Sequence, residues 1–319
     1  MTKKTNIAIL GPGGVGGFTG ARLARAYAAS EDVEIIFFAR GENEKAIREK
    51  GIRLITGNGE ETGFPHLVTS APAKAGPIDF LICTVKGYDL ESSLRPLKDN
   101  IHEGTVILPL LNGVDAPDRI RALYPRAEVW EGCMYIVARL IAPGVVKENG
   151  HMHALYFGSP TAQAGKLLQM EKLLKDAGIH AHISDTIEQT IWEKFIFISG
   201  IASLTSFLNL PIGAIVKAPE HRETLLELIR EAIAIARARH IDLPENLVQT
   251  TLSRMESLPY DTTSSMHSDF QKGGKTEYLS LTGYVVEQGK KTGIPTPAYN
   301  RILEDLAARI QATSQTGTP

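Results

Sequence analysis

"NIAILGPGGVGGFTGARLA", residues 6–24, decides how the rest of the chain is read. Residues 6–10 are an apolar run of strand length, and helical periodicity resumes after the glycines. The segment therefore predicts a strand, a tight loop and a helix. Gly11, Gly13 and Gly16 stand between the two elements in the spacing G-x-G-x-x-G. In that context the first glycine makes the turn and the second lets backbone approach a pyrophosphate. The third lets helix and strand pack closely. The pyrophosphate charge is then met by the helix N-terminus, where unpaired N–H groups favour an anion. The competing reading is a glycine-rich turn in an α/β protein that binds no nucleotide.

Outward from this loop the first half keeps alternating. "VEIIFFAR", "DFLICTVK" and "TVILPLLNG" are short apolar runs, spaced by the amphipathic segments "EKAIREKG", "LESSLRPLKDN" and "APDRIRALY". Such alternation marks βαβ units and a parallel sheet buried on both faces. Residues 128–158 read as further strands with a turn at Pro143-Gly144, expected to extend that sheet. After about residue 185 helical patterns dominate, at 186–208, 221–240, 244–258, 276–293 and 298–313. The expected architecture is an α/β Rossmann-type dinucleotide-binding domain over residues 1–185 and an all-helical domain over residues 186–319.

Composition removes several classes of function. Of 319 residues, 34 are Lys or Arg and 36 are Asp or Glu, a formal charge of −2 that leaves no electrostatic footprint for nucleic acid or an anionic membrane. The apolar run behind Lys194 reads as a core helix too short to span a bilayer. The N-terminal "MTKKTNIAIL" lacks the hydrophobic stretch of a signal peptide. Cys83 and Cys133 form no C-x-x-C, no metal ligand set is singled out, and a reduced, cytoplasmic compartment is expected.

Ligands in open α/β sheets bind beyond the carboxyl ends of the strands. At the end of the second predicted strand an NAD site normally offers an acid to the ribose 2′-hydroxyl, whereas this chain offers Arg40, suited to a 2′-phosphate. NADP(H) is favoured, although Glu42 lies two residues on. Lys86 follows "DFLICTV", and Asn112 follows "TVILPLL". Lys194 heads the apolar stretch "FIFISGIASLTSFL". A lysine there either lays its stem on apolar surface or serves as a tunable proton donor.

Together these residues resemble the ketopantoate reductase (2-dehydropantoate 2-reductase) family over nearly the whole length. The likeness rests on "GPGGVGG", "FFARG", "CTVKGYD", "LLNGV", "IWEKF", "TTSSMHSDFQKGGKTE" and "GIPTP", in the family's order. It implies an NADP-dependent oxidoreductase of pantothenate biosynthesis, with a helical second domain like the C-terminal one of 6-phosphogluconate dehydrogenase. It implies cofactor contacts at Gly11, Gly13, Gly14, Gly16, Arg40, Lys86, Asn112, Ala138 and Glu277. It implies Lys194 as the proton donor to the ketone oxygen, aided by Glu277, and substrate contacts at Asn112, Lys194 and Ser265. The implied partner is a small 2-keto acid, and similar proteins often pair as homodimers.

The chain also departs from that family. Polar residues expected to bind substrate are replaced by Ile198 and Ala202, one and two turns after the lysine, and by Ile212, Thr262 and Leu279. A site built to hydrogen-bond a hydroxyl discriminates strongly by that means. The expected activity is therefore reduction of a 2-keto acid with NADPH, foremost 2-dehydropantoate. The alternatives are a more apolar 2-keto acid or ketone, and a non-catalytic NADP(H)-binding sensor.

Overall fold

The computed structural model describes residues 4–150 and 153–316. The chain divides into two compact units, one of residues 1–111 and 116–187, the other of residues 112–115 and 188–319. Each is built around its own apolar core.

In the first unit, β1 (Thr5–Leu10) runs into α1 (Gly14–Ala26), then β2 (Val33–Phe38) and α2 (Gly41–Lys50). The hairpin β3 (Ile52–Thr56) and β4 (Gly59–Gly63) precedes β5 (Leu67–Thr69). There follow β6 (Phe80–Cys83), α3 (Leu90–Leu94), β7 (Val106–Pro109), α4 (Ala116–Leu123) and β8 (Glu128–Val129). The main sheet is parallel throughout, in the order β5-β2-β1-β6-β7-β8. This is the doubly wound order, and the direction of strand addition reverses between β1 and β6. Its central strands are apolar on both faces because both are covered: Ile7, Ile9 and Phe37 face one core, Ala8, Leu81 and Ile107 the other.

The expectation that residues 128–158 extend this sheet holds only for Glu128–Val129. The chain then leaves as β9 (Glu131–Tyr135), β10 (Ala138–Ala142), β11 (Val145–Glu148) and β12 (Ala154–Gly158), before α5 (Ala164–Asp176) and β13 (Ala181–Ile183). β10 and β11 form a hairpin turned at Gly144 (φ 71°) and join β3 and β4 in a four-stranded sheet. β9 pairs with β12, and β12 with β13, in a three-stranded sheet. Local pattern shows that a segment is extended, but the partner is chosen by distant residues.

The second unit is helical. α6 (Ile187–Leu208) is followed by α7 (Ile212–Lys217), α8 (Pro219–Ala238), α9 (Leu247–Glu256) and α10 (Ser265–Gln271). A π-helical turn (Leu279–Gly283) then leads into α11 (Tyr284–Thr292) and α12 (Pro297–Thr316). α6 has 22 residues and by length and composition alone is long and apolar enough to cross a membrane, contrary to the expectation from its sequence. Yet most of its apolar stretch is buried in the protein, as for a core helix surrounded by others. Three of its buried hydroxyls are paired across the core: Ser199 with Tyr299 (2.8 Å), Ser203 with Thr282 (2.8 Å) and Thr205 with Ser264 (3.1 Å), whereas Ser206 Oγ is buried without a partner. Most buried polar groups find partners, and these three bonds tie α6 to α10, α12 and the π-helical turn.

Candidate functional site

In the first unit the glycine loop is held from several sides. Gly11 has φ +85°, and the Thr84 hydroxyl contacts the carbonyl oxygens of Leu10 (3.0 Å) and Gly11 (2.8 Å). A Cβ on Gly16 would lie 2.1 Å from Thr84 Oγ1, and one on Gly14 would lie 2.2 Å from the Ala138 carbonyl oxygen. Glycine at both positions is thus a steric requirement, and the contact at Gly14 brings Ala138 to the start of α1. Asn43 ties this region together, donating to Pro12 O (3.1 Å) and accepting from Gly144 N–H (2.8 Å).

The loop is suited to an anion. α1 begins without a side-chain cap and with no acid in its first turn, so the helix supplies N–H groups and a positive dipole end. A Cβ on Gly13 would meet nothing nearer than 4.0 Å, so that side of the loop is open. At the end of β2, Arg40 is exposed and has no ion-pair partner among the described residues, Glu42 included. Its Nη2 donates to Ser93 Oγ at 2.9 Å. An open, anion-accepting loop with an unneutralised guanidinium at the next strand end fits a dinucleotide carrying a further phosphate.

Lys86 lies half-buried in the loop after β6. Arg119 from α4 braces that loop, donating to Gly87 O (2.8 Å) and to both Glu91 oxygens (2.7 Å each). The Arg119 hydrogen bond holds the Glu91 carboxyl below the usual carboxylate range. Cys83, at the end of β6, is fully buried, and burial pushes its thiol up to about 12, so it is no nucleophile.

In the second unit the structure brings Lys194 and Asn112 together. Lys194 is 8% exposed, on α6, and its Nζ donates to Asn112 Oδ1 at 3.3 Å. Asn112 follows β7 in the chain, but residues 112–115 group with the helical unit. Trp192 and Phe195 on either side of the lysine are buried, packing edge-on at 5.4 Å, and Phe195 meets the Tyr284 ring at 5.7 Å. The motif "IWEKF" therefore anchors its aromatic residues in the core of the unit that holds the lysine.

Glu277 is 4% exposed and stands just before the π-helical turn, its carbonyl accepting from Leu281 N–H at 3.0 Å. Ser265 is exposed at the first position of α10. The cap of that helix is Ser264, whose hydroxyl accepts from His267 N–H at 3.0 Å. Ser264 also bonds to Thr205, three helical turns beyond Lys194 on α6 and about 16 Å along the axis. The serine pair is thus fixed at the far stretch of the helix that carries the lysine.

The five positions that depart from the family pattern differ in kind. Ala202 (1% exposed) and Ile212 (0%) lie inside the apolar core, where no ligand needs to be supposed to explain them. Ile198 only packs against that core, Thr262 is half-buried, and Leu279 is 61% exposed. Sequence reasoning missed Thr84, Asn43, Ser93 and Arg119. Thr84 carried the one available signal, a hydroxyl at a strand end two residues before Lys86.

Residues 7–161 match the family described as "Ketopantoate reductase PanE/ApbA", and residues 186–310 match its C-terminal family. The uncharacterized oxidoreductase YkpB of Bacillus subtilis is 26% identical over 304 residues, covering 95% of this chain and 97% of the relative. The crystal structure of 2-dehydropantoate 2-reductase from Porphyromonas gingivalis W83 is 33% identical, with a TM-score of 0.83, over 96% of this chain and all of that one. A ternary structure of D-mandelate dehydrogenase with NADH and anilino(oxo)acetate shares the fold, with a TM-score of 0.84 at 23% identity, over 97% of this chain and all of that one. The chain belongs to the ketopantoate reductase family and is an NADP-dependent oxidoreductase that reduces 2-keto acids.

Proposed function

We propose that this protein reduces 2-dehydropantoate to pantoate with NADPH, and that Lys194 protonates the ketone oxygen. The observation that carries the mechanism is a nearly buried ammonium, held by an asparagine, at the head of the uncharged stretch of α6. NADP(H) supplies the reducing equivalent. Gly11, Gly13, Gly14, Gly16, Arg40, Lys86 and Ala138 are the proposed cofactor residues, the glycine loop taking the pyrophosphate and Arg40 the 2′-phosphate.

Reduction of a ketone gathers negative charge on its oxygen. Lys194, a cation in a largely desolvated place, stabilises that charge more than it stabilises the neutral ketone, and then gives up its proton. Asn112 fixes the ammonium through Oδ1 and keeps its amide N–H groups for the same oxygen or for the cofactor. Glu277, nearly buried on the same unit, is the proposed acid assisting Lys194. Ser265 offers an exposed hydroxyl to the substrate's polar end.

A second reading is favoured by Ile198 and Leu279, which present aliphatic surface where the family offers polar groups. It keeps the reaction and replaces the substrate with a more apolar 2-keto acid. A cytoplasmic location and assembly as a homodimer belong to the same proposal. The test is steady-state NADPH oxidation across a panel of 2-keto acids. The highest kcat/KM should fall on 2-dehydropantoate, whereas preference for an aliphatic or aromatic keto acid without a hydroxyl would establish the second reading.

A further inference from the structure

Ser93 is a buried serine, 5% exposed, on the short helix α3, and nothing in the reaction requires it there. Its Oγ accepts from Arg40 Nη2 at 2.9 Å across 53 residues of sequence. Arg40 itself is exposed, and its extended backbone (φ −135°, ψ 156°) precedes α2 without making a side-chain cap. The guanidinium thus gains its fixed direction from a residue on another element.

We propose that Ser93 is a positioning residue for dinucleotide choice, holding Arg40 ready for the 2′-phosphate. The inference rests on the reading of Arg40 given above. The chemistry of the partner is what matters. A carboxylate at this distance would orient the guanidinium equally well, but would neutralise the charge that the phosphate needs. A hydroxyl orients it and leaves the full charge in place. One of five N–H groups is spent on Ser93, and the rest of the planar fork remains for bidentate contact with phosphate. Orienting the side chain beforehand also reduces the rotamer entropy lost on binding. Ser93 is buried and meets Arg40, so its effect should fall on NADPH and leave NADH unaffected.

The experiment measures KM and kcat with NADPH and with NADH for the wild type, Ser93→Ala, Arg40→Ala and the double variant. Loss of one hydrogen bond from an exposed guanidinium predicts that Ser93→Ala raises KM for NADPH about two- to tenfold, with kcat and the NADH constants unchanged. In the Arg40→Ala background the same substitution should do nothing. An equal rise for both cofactors, or an undiminished effect in the absence of Arg40, would mark Ser93 as merely structural. No rise at all would also overturn the proposal. If Arg40→Ala leaves the preference for NADPH intact, it is the reading of Arg40 that fails, and the two failures are told apart.

Discussion

Replacing Lys194 with methionine separates the chemical role of the ammonium from the packing role of its stem. Methionine has similar length and keeps an apolar stem at this nearly buried position, where neighbouring Trp192 and Phe195 are buried in the helical core. Lys194 is itself only 8% exposed, so the substitution exchanges a largely desolvated charge for a group at home there. Asn112 loses the donor that its Oδ1 now accepts from at 3.3 Å, but it is half-buried and water can replace the bond. Thermal stability should therefore stay close to that of the wild type. Catalysis should not. General-acid assistance is typically worth about 10²–10⁴-fold, or roughly 3–5 kcal/mol of barrier. The assay is pre-steady-state and steady-state NADPH oxidation, with cofactor affinity measured separately by fluorescence titration. The expected result is kcat reduced at least about a hundredfold, with the NADPH dissociation constant within about twofold of wild type. A similar loss in both quantities would show that the lysine binds cofactor or holds the fold. A kcat within a few fold of wild type would remove it from proton transfer.

Three other perturbations probe different parts of the account. Gly14→Ala places a Cβ 2.2 Å from the Ala138 carbonyl oxygen, where both sides are backbone; NADPH affinity should fall by about tenfold or more with a lowered Tm, since shifting packed backbone costs about 1–3 kcal/mol, and an unchanged titration would show that the two segments move apart freely. Ile198→Asn, one turn after Lys194 on a half-buried position, should raise kcat/KM for 2-dehydropantoate relative to a keto acid without a hydroxyl by about two- to tenfold, the worth of one hydrogen bond, and a constant ratio would place Ile198 away from the substrate. His153 is held down to about 4 by burial first, then by the Arg22 and His180 charges, against an ordinary value of 6.5. The unfolded chain therefore binds more protons than the folded one between these values, so His153 takes stability away as pH falls from 6.5 to about 4. Tm measured across this window should drop less in His153→Phe than in the wild type, and parallel curves would assign the acid sensitivity elsewhere.

How much of this was legible in the sequence depends on whether a constraint is local. The glycine loop was, because a left-handed φ at Gly11 and the close approach at Gly16 leave no other residue type. Arg40 was too, since its place at the end of β2 follows from counting along one strand. The β3–β4 hairpin was not: "GEETG" carries no apolar residue, and only its pairing with β3 makes it a strand. α5 escaped although its pattern is amphipathic, and the partners of β9 to β13 are set by residues far away in sequence. Ser93 is one hydroxyl in an ordinary helix, and only its distance from Arg40 gives it meaning. The substitutions at Ala202 and Ile212 looked alike in sequence to those at Ile198 and Leu279, but burial separates the two pairs.

The proposed reaction reduces a 2-keto acid at its ketone carbon, with Lys194 supplying the proton. The most direct measurement uses NADPH deuterated at the nicotinamide C4 and analyses the product of 2-dehydropantoate by mass spectrometry. The expected product is pantoate carrying a single deuterium at C2, formed in step with NADPH consumption by the wild type and nearly abolished in Lys194→Met. NADPH that binds but delivers no label to 2-dehydropantoate or to any other 2-keto acid would contradict it.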